Sequence, residues 1–261
     1  MNHGDAGAGY GGSGVATILL LTAALLAYVL PAVDRRAEPR GWSGWRTASF
    51  ALGVVLVGVA LQPGLLPTDD FRGHMAQHLV IGMVAPLLLV LGAPVTLLLR
   101  SVTPRVGRFV GELLRSRPAH LIASPVTALV LNLGGLAAIY GTPLYAEMLR
   151  NGAVHTLVTV HVFLAGYLFA WVVAGPDPAP RRPSVPVRLV VLGIAVAGHA
   201  VLSQLLYAGV LDVPVPADQR RGAAELMYYG GDIAELLVAV ALVSRWRPRR
   251  RARTGTAGAG G

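Results

Sequence analysis

Two histidines four positions apart, His74 and His78, stand in the run Arg72-Gly73-His74-Met75-Ala76-Gln77-His78. On a helix, residues at i and i+4 share a face, so two imidazoles at this spacing reach one metal ion. Imidazole is a neutral ligand for zinc and copper, and the Met75 thioether beside it shifts the preference toward Cu(I). Two nitrogens leave a trigonal or tetrahedral set incomplete, so a further ligand must come from another segment. His155, which opens a later apolar stretch at similar depth, is the first candidate. His161 lies about 9 Å further along that helix and roughly 120° around it, so the two need not share a ligand. His199 falls near the middle of the next apolar stretch, followed by Ser203, Gln204 and Tyr207. In the last stretch Glu225, Tyr228, Asp232 and Glu235 form one stripe at helical spacing. Each residue also has a structural reading: a packed, hydrogen-bonded histidine, a helix start at the water interface, or an acidic network paired with Arg220 or Arg221.

The elements that must position these groups are membrane spans. Of 261 residues, 54% are apolar and only 13% charged, against about 25% charged in soluble globular chains. Seven apolar stretches approach the roughly 20 residues that cross a bilayer as a helix. They run from Val15 to Val33, Thr47 to Pro67, His74 to Leu99, Ala119 to Tyr140, Ala153 to Ala174, Val187 to Leu211 and Gly222 to Trp246. The expected fold class is therefore all-α, a polytopic membrane protein of seven transmembrane helices. The glycine-rich start, residues 1–14, and the basic, glycine-rich end, residues 247–261, read as flexible tails around one domain at 15–246.

The net charge of +9 comes from 22 basic residues, all arginine, against 13 acids. Counted by connection, the arginines alternate. Eighteen fall after the first, third, fifth and seventh spans and four in the other connections. By the positive-inside rule the amino terminus lies outside and the carboxyl terminus in the cytoplasm. The charge thus reads as topology plus attraction to anionic membrane lipids, with no nucleic-acid role. No arginine precedes the first span, which is read as an anchor and not a cleaved signal peptide.

On this map five histidines and three carboxylates from four spans fall in the outer half or middle of the bilayer, while the cytoplasmic half holds almost nothing ionisable. Polar groups at membrane depth are costly unless paired, coordinated or wet, which makes this clustering the functional signal. The absence of cysteine excludes thiol catalysis, disulfide stapling and a cysteine zinc site. No nucleophile, phosphate loop or dinucleotide turn is found, so no enzymatic reaction is expected. Three readings remain: transient copper binding; haem ligated by paired histidines, a membrane electron-transfer protein; or a transporter relaying protons or cations through Glu225, Asp232 and Glu235. Nothing in the chain reports its oligomeric state.

The run His74-Met75-Ala76-Gln77-His78-Leu79, leading into the stretch from Val84 to Pro94, resembles the signature of the multi-span CtaG-type cytochrome c oxidase assembly family. Thr142-Pro143-Leu144-Tyr145, the stretch from His161 to Gly166, Asp177-Pro178 and Asp218-Gln219 are similar to that family in the same order. The resemblance covers roughly residues 47 to 246, and the family is distinct from the single-span copper chaperone that shares its name. It implies a bacterial inner-membrane protein that works with cytochrome c oxidase subunits and supports metallation of a haem-copper oxidase. His74, His78, His155, His161 and Asp218 fall on polar motif positions of the family. His199, Asp232 and Glu235 correspond more weakly, and all eight are candidate metal ligands. The chain departs from the pattern after Gln219, with Arg220-Arg221 and Met227-Tyr228-Tyr229 in place of small residues and a tryptophan.

Overall fold

The computed structural model describes residues 6–39, 41–62, 65, 70–180 and 182–246. The tail 247–261, the first five residues, Arg181 and the segment from Leu66 to Asp69 lie outside the described residues. Helices account for the regular structure, with no strand among the described residues. They are α1 (Ala6–Asp34), α2 (Gly44–Leu61), α3 (Phe71–Leu79), α4 (Ala85–Leu91), α5 (Pro94–Ser101), α6 (Pro104–Arg115), α7 (Arg117–Ile122), α8 (Pro125–Gly141), α9 (Leu144–Arg150), α10 (Gly152–Ala174), α11 (Val185–Ala208) and α12 (Ala217–Val243).

Six described segments are long and apolar enough to cross a membrane: Gly14–Ala37, Gly44–Leu61, Phe71–Ser101, Gly152–Ala174, Val185–Ala208 and Ala217–Val243. A seventh is obtained if α8 and α9, bent by 74° at their junction, count as one. The protein is thus an all-helical membrane protein with six or seven candidate spans. The fourth expected span, Ala119 to Tyr140, is not one straight rod. Ser116 caps α7, Ser124 caps α8 by accepting from the Thr127 N–H and so restarts the chain there, and α9 turns away after Pro143. The second expected span stops early as well, since α2 ends at Leu61 and not at Pro67.

Phe71–Ser101 forms the axis of the bundle. Asp70 starts it, its carboxylate accepting from the Gly73 N–H at 3.0 Å. A π-helical turn at Val80–Val84 joins α3 to α4, and there Gly82 lies against Gly166 of α10. A Cβ on Gly166 would fall on the Gly82 carbonyl, so the backbones touch directly. Small residues permit that approach in membrane bundles, and π turns recur at functional sites. Helices α2, α10 and α12 pack against this axis, α8 and α11 pack in turn on α10 and α12, and one buried cluster gathers around Leu87, Val173, Ala195 and Leu242. A second cluster, around Phe71, Tyr140, Tyr145 and Met227, lies at the end that carries His74.

Helix α6 was not anticipated from the sequence. It has no buried residue; Val106, Phe109 and Leu113 make an exposed apolar stripe beside Arg105, Arg108 and Arg115. That pattern belongs to a helix lying in a membrane interface.

The end of the bundle away from His74 holds a buried carboxylate among arginines. Ala93 adopts a left-handed conformation, φ 55°, and has no side chain able to cap α5. Asp177, only 1% exposed, does so from beyond α10. Its Oδ2 accepts from the Val95 N–H at 3.0 Å, and its Oδ1 accepts from the Thr96 N–H at 2.7 Å and the Thr96 hydroxyl at 2.6 Å. Around it Arg188 and Arg245 donate to the last carbonyls of α10, Val173 at 2.8 Å and Ala174 at 3.0 Å, where cations favour the helix dipole. Arg182 donates to the Asp177 carbonyl. Burial draws the Arg182 guanidinium below its ordinary value, Arg188 adds to this, and Asp177 partly opposes it.

Candidate functional site

Helical spacing in α3 puts His74 and His78 on one inward face. Their relative exposures are 7% and 8%, and their ring centroids lie 4.4 Å apart. His155, near the start of α10, is half-buried and presents its ring 5.9 Å from that of His74. Asn151 sets its place by capping α10, its Oδ1 accepting from the Ala153 and Val154 N–H groups. Aromatic rings wall the group: Tyr145 packs edge-on against His74 at 5.3 Å and against Phe71 at 5.0 Å. The Tyr140 hydroxyl lies 3.3 Å from His78 Nδ1.

The Nε2 atoms of both His74 and His78 are buried without a hydrogen-bond partner. Leaving a buried polar atom unpaired costs about 1–3 kcal/mol each. A pair of such atoms on adjacent rings is a preformed set of nitrogen donors. Among the described residues, however, no three histidine, aspartate or glutamate side chains converge closely enough to enclose an ion by themselves. The arrangement offers two nitrogens, with the His155 ring 5.9 Å from that of His74.

The other candidates separate into three groups. His199, at mid-helix in α11, is buried at 7% and its Nδ1 lies 2.6 Å from Oε1 of Glu235, itself 2% exposed. His161 is half-buried, with Nε2 3.3 Å from the Leu131 carbonyl and the ring resting on Gly135, whose missing side chain gives it room. Both line a cavity of about 40 Å³ inward of the histidine pair. Asp218, in the first turn of α12, and Asp232 are exposed, and among the described residues no hydrogen bond or ion pair joins either to a histidine. The acidic stripe is thereby split: only Glu235 turns inward, while Glu225 faces outward with Tyr228 and Tyr229 near a separate shallow pocket.

The residues that sequence reasoning passed over are the ones that hold α3 in place. Gln77 donates to the Ala60 carbonyl at 2.6 Å, tying α3 to the end of α2. Gln219 accepts from the Phe71 N–H at 3.2 Å, tying the start of α3 to the start of α12. Asp177 was visible only as part of a dipeptide in a family pattern; its position directly after a span and among arginines was the available signal.

Comparison with known proteins gives one family. Residues 26–249 match the family described as cytochrome c oxidase caa3 assembly factor (Caa3_CtaG). The chain is 29% identical over 245 residues to an uncharacterized protein of Mycobacterium leprae, covering 85% of this chain and 37% of that protein. It is 32% identical over 202 residues to uncharacterized proteins of Mycobacterium bovis and Mycobacterium tuberculosis, covering 69% of this chain and 30% of each. The chain thus spans about a third of the length of these relatives. No solved structure matches it.

Proposed function

The chain belongs to the caa3-type cytochrome c oxidase assembly factor family, and on that premise we propose that it supports metallation of a haem-copper oxidase by holding copper transiently at His74 and His78. The observation that carries this reading is the pair of buried, unpartnered Nε2 atoms on rings 4.4 Å apart. His155 is the third ligand, brought in from α10, and Tyr140 and Tyr145 keep the site dry. Copper is the cargo. The lack of cysteine suits release, because imidazole holds Cu(I) less tightly than thiolate does. The chain performs no covalent chemistry in this role.

The arginine distribution supports an orientation in which the amino terminus and the histidine end face outward across the bacterial inner membrane, toward the oxidase subunits that receive the metal. Reporter fusions at Arg150 and Asp218 then give outside signals, and those at Arg108 and Arg182 give cytoplasmic ones. A cytoplasmic signal at Asp218 overturns the orientation.

A haem between His78, His161 and His199 is disfavoured because their cavity measures about 40 Å³, against the roughly 300 Å³ or more that organic ligands occupy. A carboxylate relay is disfavoured because Glu225 and Asp232 are exposed while Glu235 is buried. The deciding measurement is copper stoichiometry of the purified protein under reducing conditions. His74→Ala with His78→Ala is expected to lower it and to reduce oxidase metallation, with the protein still present in the membrane. Full copper retention by that double variant refutes the assignment.

A further inference from the structure

Inward of the histidine pair, the cavity of about 40 Å³ is lined by three thioethers, Met75, Met83 and Met227, and three imidazoles, His78, His161 and His199. This gathers three of the five methionines of the chain onto one small void. They come from α3, from its π-helical turn and from α12, while His161 and His199 come from α10 and α11. A cavity needs only about 10–15 Å³ of such volume to hold one water, so the space is ion-sized. We propose that this chamber is a second metal station, specific for a soft monovalent cation, Cu(I), bound by thioether sulfur and imidazole and reached through His78. The proposal deepens the copper reading of the outer histidines and rests on it for the identity of the metal.

Three features define the station. His199 is oriented by Glu235, whose carboxylate accepts its Nδ1–H at 2.6 Å; this tautomer leaves the Nε2 lone pair free on the cavity-lining ring. Such carboxylate–histidine pairs recur as outer partners of metal ligands. Second, no three histidine, aspartate or glutamate side chains enclose an ion among the described residues, whereas three thioethers line this void, and thioether sulfur selects Cu(I) over zinc or Cu(II). Third, one buried carboxylate balances one positive charge; a divalent ion would leave a net charge in a low-dielectric interior. His78 lines the chamber and its ring lies 4.4 Å from that of His74, so it stands between the two stations and gives the ion a path from one to the other.

The test titrates the purified full-length protein with Cu(I) against a chromophoric Cu(I) chelator under reducing conditions, and records copper X-ray absorption. Two equivalents are expected for the wild type, with sulfur scattering in the second. The double change Met83→Leu, Met227→Leu keeps side-chain volume; it should remove one equivalent and the Cu–S signal. His74→Ala with His155→Ala should remove the other equivalent and keep Cu–S scattering. Glu235→Gln, a change to a positioning residue, should weaken the sulfur-containing site roughly 10- to 100-fold with stoichiometry unchanged. Retained stoichiometry and Cu–S scattering in the methionine variant overturns the chamber while leaving the outer site standing. Retained stoichiometry in the histidine variant overturns the outer site alone, and absence of Cu(I) binding by the wild type overturns both. Should the methionine variant fail to accumulate, sulfur scattering in the wild type decides: nitrogen-only scattering refutes the chamber.

Discussion

Asp177 offers a perturbation whose size follows from the structure. Its carboxylate accepts three hydrogen bonds, from the Val95 and Thr96 N–H groups and the Thr96 hydroxyl, at 2.6 to 3.0 Å and with 1% of the residue exposed. Asp177→Ala leaves two N–H groups at the start of α5 without their partner in a buried setting. Each unpaired group costs about 1–3 kcal/mol, so the two together cost about 2–6 kcal/mol. At about 2–4 °C per kcal/mol for a chain of this size, the middle of that range lowers the melting temperature by roughly 8–16 °C. Asp177→Asn should cost less, because the amide oxygen still caps one N–H, yet its NH2 then opposes the other donor. The assay is thermal unfolding of the detergent-purified protein, with membrane accumulation measured in parallel. If Asp177→Ala melts within about 2 °C of wild type, the long-range cap is not what holds α5. If oxidase assembly fails while stability is unchanged, Asp177 acts on a partner and the structural account is wrong.

Gly166→Ala would force a methyl onto the Gly82 carbonyl; overpacking of this kind costs about 1–3 kcal/mol or more, so lower membrane accumulation and a lower melting temperature are expected, and wild-type behaviour would show that the two backbones are not in contact. Asp70 is held below the usual carboxylate value of 3.8 by the Gly73 N–H and then by Arg72. A depressed carboxylate stabilises the fold fully above its unfolded value and loses that contribution as pH falls through the folded one, so melting temperature should drop below about pH 3.8 in a step that Asp70→Asn removes; an unchanged step locates the acid sensitivity elsewhere. Asp232→Asn, at an exposed position on α12, should leave the melting temperature unchanged, whereas Glu235→Gln, at the buried partner of His199, should lower it; equal effects would mean that both acids lie in one network.

Much of the architecture was legible because span length and apolar run length are set by the same bilayer thickness. Five of the seven expected stretches recur nearly in place, the third extending to Ser101. The fourth did not, because a hydropathy window cannot see that Ser124 and Pro125 end one helix and begin another, or that Pro143 turns α9 through 74°. Helix α6 was missed for the opposite reason: its apolar residues are too few for a span and show only as a one-sided stripe. Asp177 was hidden because its partners lie about 80 residues away, and a cap supplied from such a distance leaves no local pattern.

Spacing within one helix was the dependable part of the site reading. The i, i+4 pairing placed His74 and His78 side by side, and the shared entry depth placed His155 beside them. The stripe of Glu225, Tyr228, Asp232 and Glu235 shows where the same logic stops. Residues a turn apart drift around the helix, so a stripe crosses from the buried face to the exposed one, and only the neighbouring helix decides which member turns inward. In α12 that neighbour is α11, whose His199 meets Glu235 alone. Met83 and Met227 were unreadable for the same reason, since methionine in an apolar run is indistinguishable from packing until the other walls of its cavity are known. The histidine and methionine lining of that cavity, drawn from five segments, is therefore a property of the bundle: each segment carries one or two of these side chains, and none carries the whole set.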